Sequence, residues 1–94
     1  MMLSNDAVEQ VALKAIAWLV GSEELLPVFM GSTGADEDAF RNGVGNKEFQ
    51  ASVLDFIMMD DAWVVAFCDN ESLPYDRLMQ ARGALPGGAQ VNWT

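Results

Sequence analysis

The chain predicts an all-α, single-domain bundle of about five or six short helices, and three observations carry that prediction. Apolar residues recur at three- and four-residue spacing along most of the chain, and no alternating stretch bounded by turn dipeptides competes with them. Capping and stop residues punctuate that spacing at short intervals. The third observation is a repeat. Shifting the sequence by 38 residues lays Ala15, Ile16, Trp18 and Leu19 on Val53, Leu54, Phe56 and Ile57. The same shift lays Ser22 on Asp60, and Leu25, Leu26, Phe29 and Met30 on Trp63, Val64, Phe67 and Cys68. Gly34 then falls on Ser72, Asp38 on Asp76 and Phe40 on Leu78. The match is by residue class rather than identity, and it predicts two equivalent three-helix halves.

The first helix is expected from about Asp6 to Val20. Asp6 and Glu9 have capping-box spacing, with Ser4 and Asn5 as alternative caps. Val8, Val11, Ala12, Ala15, Ile16, Trp18 and Leu19 form the buried stripe, opposite Gln10, Lys14 and Ala17. Gly21 is expected to supply a left-handed exit. Ser22 caps the second helix, whose core contacts are Leu25, Leu26, Phe29 and Met30. Pro27 lacks an N–H and should bend or delay that helix. Thr33-Gly34 ends it. A small third helix starts at Ala35 or Asp36 and runs through Phe40 and Arg41, until Gly43 and Gly45 break it.

Asn46 caps the fourth helix, which reaches about Met58. Phe49, Val53, Phe56 and Ile57 share one face, widened by Leu54 and Met58, and only Glu48, Ser52 and Asp55 form a polar stripe. A helix so nearly apolar all round should be central. Asp60 caps the fifth helix, with Trp63, Val64, Phe67 and Cys68 inward. Pro74 is placed at the first position of the sixth, which turns Leu78, Ala81 and Leu85 inward and sets Tyr75 and Arg82 on the same mostly apolar face. Pro86-Gly87-Gly88 closes the fold, giving a helical domain over 1–88 and a flexible tail over 89–94 that carries Trp93.

Composition narrows the chemistry. About half of the 94 residues are apolar, enough for a core without a metal or disulfide. There is one cysteine, Cys68, and no histidine. Triads, Cys-His pairs and zinc sites therefore lack their residues. Cys68 sits among Val64, Val65 and Phe67 and reads as a small core hydrophobe. The glycine-containing loops Gly31–Gly34 and Gly43–Gly45 lack the lysine and strand context of phosphate-binding loops and read as helix stops. Asp36-Glu37-Asp38 opens like a calcium loop, but Phe40 stands at the next ligand position and no glutamate closes it. No metal or cofactor is expected.

The net charge is −9, which disfavours direct nucleic-acid binding. Most of the acidity falls at expected helix starts, where carboxylates cap free N–H groups and oppose the helix dipole. The N-terminal residues lack the positive region of a signal peptide, and no apolar run is long enough to span a bilayer. A cytoplasmic protein without membrane association is expected, monomeric rather than homodimeric.

Ser22-Glu23-Glu24-Leu25-Leu26 with Phe29 and Thr33-Gly34, Phe40-Arg41, Val53-Leu54-Asp55-Phe56 with Asp60 and Phe67, and Leu73-Pro74 with Ala81-Arg82 before Leu85 together carry a resemblance. The chain is similar to short helical proteobacterial proteins grouped as a domain of unknown function, over roughly Ala7 to Gly88. The resemblance implies an all-helical bacterial domain and brings no activity or catalytic residue. Pro27 departs from the smooth second helix it implies.

The residues favour a non-enzymatic protein-interaction module or small regulator. The alternative is a binder of small apolar ligands, with a pocket between the halves where Met, Phe and Trp side chains converge. Met59, Trp63, Arg82 and Trp93 are the candidate partner-binding residues: an adaptable methionine, an exposed indole edge, an arginine suited to anions, and a tail tryptophan that packing does not explain. Core packing is the favoured reading of Met59 and Trp63, and an ion pair with a carboxylate, its stem laid over the core, that of Arg82.

Overall fold

The computed structural model describes residues 4–85. Within them lie six helices: α1 (Asn5–Val20), α2 (Leu25–Thr33), α3 (Glu37–Gly43), α4 (Lys47–Met58), α5 (Asp61–Glu71) and α6 (Tyr75–Gly83). There is no strand among the described residues. α4 packs on α1, α3, α5 and α6, and is the central helix its apolar circumference predicts. Val53, Leu54 and Ile57 on α4 are fully buried, as are Leu19, Phe67 and Leu78 on its neighbours. The radius of gyration is 12.5 Å, close to the ~13 Å of a globular domain of about 100 residues.

The caps explain where the helices start. Ser4 accepts from the Ala7 N–H at 3.1 Å, so α1 begins one residue before Asp6. Asp36 accepts from Ala39 at 2.9 Å, Asn46 from Phe49 at 3.0 Å and Asp60 from Ala62 at 2.8 Å. Ser22 accepts from Leu25 at 3.1 Å and, through its carbonyl, from Leu26. Pro27 has no N–H to give the Glu23 carbonyl, and α2 accordingly begins only at Leu25.

Four local expectations are corrected. Gly21 is right-handed, with φ −80°, because its N–H still bonds the Ala17 carbonyl and the chain turns directly toward Ser22. α2 ends at Thr33-Gly34 as expected but runs through Gly31, which is no stop, and α3 runs past Arg41 to Gly43, so Gly45 marks its stop more closely. Gly43 has a packing reason: a Cβ there would lie 2.7 Å from Cδ2 of the Phe49 ring. Pro74 is the residue before α6 rather than its first, with extended ψ of 147°. Tyr75 is 52% exposed and does not share the buried face of Leu78.

The 38-residue repeat is visible in the helices. α1 and α4 end at Val20 and Met58, α2 and α5 at Thr33 and Glu71, and α3 and α6 begin at Glu37 and Tyr75. Among the described residues, positive φ occurs at Gly34 (76°) and Ser72 (57°), which are repeat partners. Ring contacts repeat with the halves exchanged. Trp18 meets Phe67 edge to face at 5.7 Å, and their counterparts Phe56 and Phe29 meet at 5.3 Å. The two halves therefore make one contact twice, each giving a ring from its first helix to the second helix of the other.

Buried Gln50 was not foreseen. It is 2% exposed, and its Nε2 donates to the Val44 carbonyl at 2.8 Å. That bond gives the amide nitrogen a partner and ties the α3–α4 turn to the central helix.

Candidate functional site

α5 and α6 converge near the C-terminal end of α4, and an apolar groove opens between them. Met58, Val64, Val65, Tyr75 and Met79 line it, with Asp61 beside them, and its volume is about 360 Å³. That is within the range of small ligand and peptide-anchor pockets, ~300–1,000 Å³. Its apolar groups face solvent: Met79 is 54% exposed and Val65 is 39% exposed. Helical spacing builds the walls. Asp61, Val64 and Val65 share one edge of α5, while Tyr75 and Met79 are one turn apart on α6. Val64 packs its inner side against the core, while Asp61, Val65, Tyr75 and Met79 lie beside the buried stripes and remain exposed.

A polar frame holds the groove. The Tyr75 hydroxyl donates to Asp69 Oδ1 at 2.8 Å, which ties the start of α6 to the end of α5. That hydrogen bond, and then the Asp69 charge, raise the Tyr75 pKa above the ordinary phenol value and keep the proton on the donor. Cys68 is buried, and burial followed by the charges of Asp69 and Asp76 raises its pKa. The thiol therefore stays protonated and is a poor nucleophile. One turn from Met58 and Met79 along their helices, Arg82 Nε donates to Asp55 Oδ1 at 2.6 Å and Nη2 to Oδ2 at 3.1 Å. The two-point geometry joins α4 to α6.

The first half carries a counterpart. Val20, Leu26, Met30, Glu37, Phe40 and Arg41 line a groove of about 240 Å³. Val20 and Met58, Leu26 and Val64, Glu37 and Tyr75, Arg41 and Met79 are all repeat partners. The same fold feature thus occurs twice, with a glutamate and an arginine where the second copy has a tyrosine and a methionine.

These placements redistribute the expected residues. Met59 caps α4 and is 75% exposed, next to the groove-lining Met58. Trp63 stacks on Phe56 at 4.9 Å, away from the groove lining. Arg82 is engaged by Asp55, with 15% of its side chain exposed. Trp93, the 88/89 boundary and the tail lie outside the described residues. The apolar groove described above is lined by residues of the second half alone. Between the halves the rings close edge to face on one another, and the crevice joining the starts of α1 and α4 is about 100 Å³, lined by Asn5, Glu9 and Lys47 among others. Val65 and Met79 line the groove without any motif to mark them. Their signal was apolar residues in excess of what each helix needs for its core stripe.

Among the described residues, no group of three or more acidic, cysteine or histidine side chains is placed to hold a metal ion. No helix there is long and apolar enough to cross a membrane. Residues 5–88 match the family described as Protein of unknown function (DUF3572), and the chain belongs to that family. No curated protein and no solved structure matches it.

Proposed function

We propose that this family member is a non-enzymatic protein-interaction module of the bacterial cytoplasm, which receives a partner in the α5–α6 groove. The observation that carries the reading is the exposure of Val65, Tyr75 and Met79 around a preformed groove that core packing does not need. Methionine and tyrosine suit adaptable contact surfaces. The frame made by Tyr75–Asp69 and Arg82–Asp55 supports the reading, because it fixes both walls before anything binds. The nearest thiol is buried and protonated, which favours binding over chemistry. A small apolar ligand in the same groove is the second reading, favoured by its volume.

Site-specific photocrosslinking in cells tests the first reading. A photoreactive residue at position 79 should give a discrete protein adduct, while one at position 41 in the counterpart groove should not. Absence of a protein adduct at 79, or equal labelling at both positions, would count against it.

A further inference from the structure

The walls of the α5–α6 groove say which chemistry of partner it suits. α5 contains no lysine or arginine, and Asp61 lies in the groove lining. Asp69 holds the Tyr75 hydroxyl, and Asp76 is in the first turn of α6. Asp60 caps α5 one residue before Asp61. The α6 cations do not offset these charges in the groove lining. Neither Arg77 nor Arg82 is part of it, and Arg82 is held by Asp55. The result is an apolar trough with one carboxylate, Asp61, in its lining, a second, Asp69, bonded to its Tyr75, and a third, Asp76, next to Tyr75 in sequence, in a chain of net charge −9.

We infer that the groove takes a cationic amphipathic helix, presenting apolar side chains at i, i+3, i+4 and i+7 to the trough and lysines or arginines to the acidic rim. The inference rests on the interaction-module reading and specifies its partner. A trough between two helices, with no strand edge among the described residues to extend, is the setting for helix-in-groove recognition. The methionines that line it adapt to varied apolar anchors. A second copy of the chain is the wrong occupant, because it would bring one acidic rim against another. An anionic membrane is repelled for the same reason.

The probe is a fluorescent Leu/Lys amphipathic peptide of about 16 residues, long enough for a stable helix on binding. Its controls are a Leu/Glu peptide with the same apolar pattern and a composition-matched peptide with scrambled order. Anisotropy reads affinity, and ¹H–¹⁵N shifts locate the site. The expected result is binding by Leu/Lys alone, with shifts at Val64, Val65, Tyr75 and Met79. Affinity should fall about tenfold or more as added salt shortens the screening length from ~10 Å toward ~3 Å. Val65→Ser with Met79→Ser, which leaves every charge in place, should weaken binding about tenfold, and Asp61→Asn with Asp76→Asn should flatten the salt dependence. Both variants change exposed positions, and a wild-type-like circular dichroism melt confirms the fold. Equal binding by the scrambled peptide, or no loss in the serine variant, would show mere charge attraction and overturn the inference. Groove binding by Leu/Glu as strong as by Leu/Lys would overturn the cationic assignment while leaving the interaction module standing. Concentration-dependent dimerisation through the groove would do the same. If no peptide shifts the groove, the inference fails, and the crosslink at position 79 decides the broader reading separately.

Discussion

The two halves share one plan but spend it differently. In the second half α6 packs on α1, α4 and α5, and α5 packs on α1, α4 and α6. In the first, α3 packs on α4 and α2 on α1, and the gap is bridged by rings. Phe29 alone meets Phe40, Phe49 and Phe56, with centroids 5.3–6.0 Å apart. Side chains do in the first half what close helix approach does in the second. The grooves differ in the opposite sense. The loosely packed half carries Glu37 and Arg41 on its groove, while the tightly packed half leaves Tyr75 and Met79 open. Rigid walls around exposed apolar groups suit a binding surface better than loose ones, since less order is lost on binding.

The largest expected effect breaks the packing side of this comparison. Phe29→Ala and Phe67→Ala should each cost about 3–5 kcal/mol, the range for truncating a buried ring. Their consequences should differ in hydrogen exchange. α2 buries only Leu25 and Phe29, so losing Phe29 should release α2 amides while α4 and α6 stay protected. Losing Phe67 should lower protection across α1, α4, α5 and α6 together, because α5 touches the other three. Uniform loss in both variants would show that the halves are equally integrated.

A smaller effect concerns the left-handed residue that ends the second helix of each half. Gly34 adopts φ 76° at no steric cost, whereas Ser72 adopts 57° with a side chain. Leu73 N–H bonds the Cys68 carbonyl at 2.8 Å across Ser72, so the turn holds despite the strain. Ser72→Gly should therefore stabilise by about 1 kcal/mol and Gly34→Ser destabilise by about the same amount. Chemical denaturation checks both. Two effects of the same sign would mean that the two turns, though alike in backbone, differ in what surrounds them.

Much of this was legible in the residues because helices write their faces and ends locally. Ser22, Asn46 and Asp60 are identifiable as caps from type and position, and the structure puts each oxygen on a helix-start N–H. The repeat was readable for the same reason, since burial falls on matching positions such as Leu19 and Ile57 or Phe29 and Phe67. The groove was not legible. Apolar Val65 and Met79 are indistinguishable from core residues until the neighbours that leave them uncovered are known. Gln50 failed in reverse, because a glutamine in a helix looks exposed until a carbonyl from another segment is found beside it. Gly21 was misjudged because a glycine after a helix permits a left-handed exit without requiring one.

The central claim is that the second groove, and not its counterpart, receives a partner. Methionine methyl groups report on both at once, since Met30 lines the first while Met58 and Met79 line the second. We would record ¹H–¹³C methyl spectra of the protein as the Leu/Lys peptide is added. The account predicts that the Met58 and Met79 methyls move and Met30 does not, and that Tyr75→Glu with Met79→Arg, which copies the first groove onto the second, abolishes the Met58 response. Equal movement of Met30, or a Met58 response that survives this exchange, would contradict it.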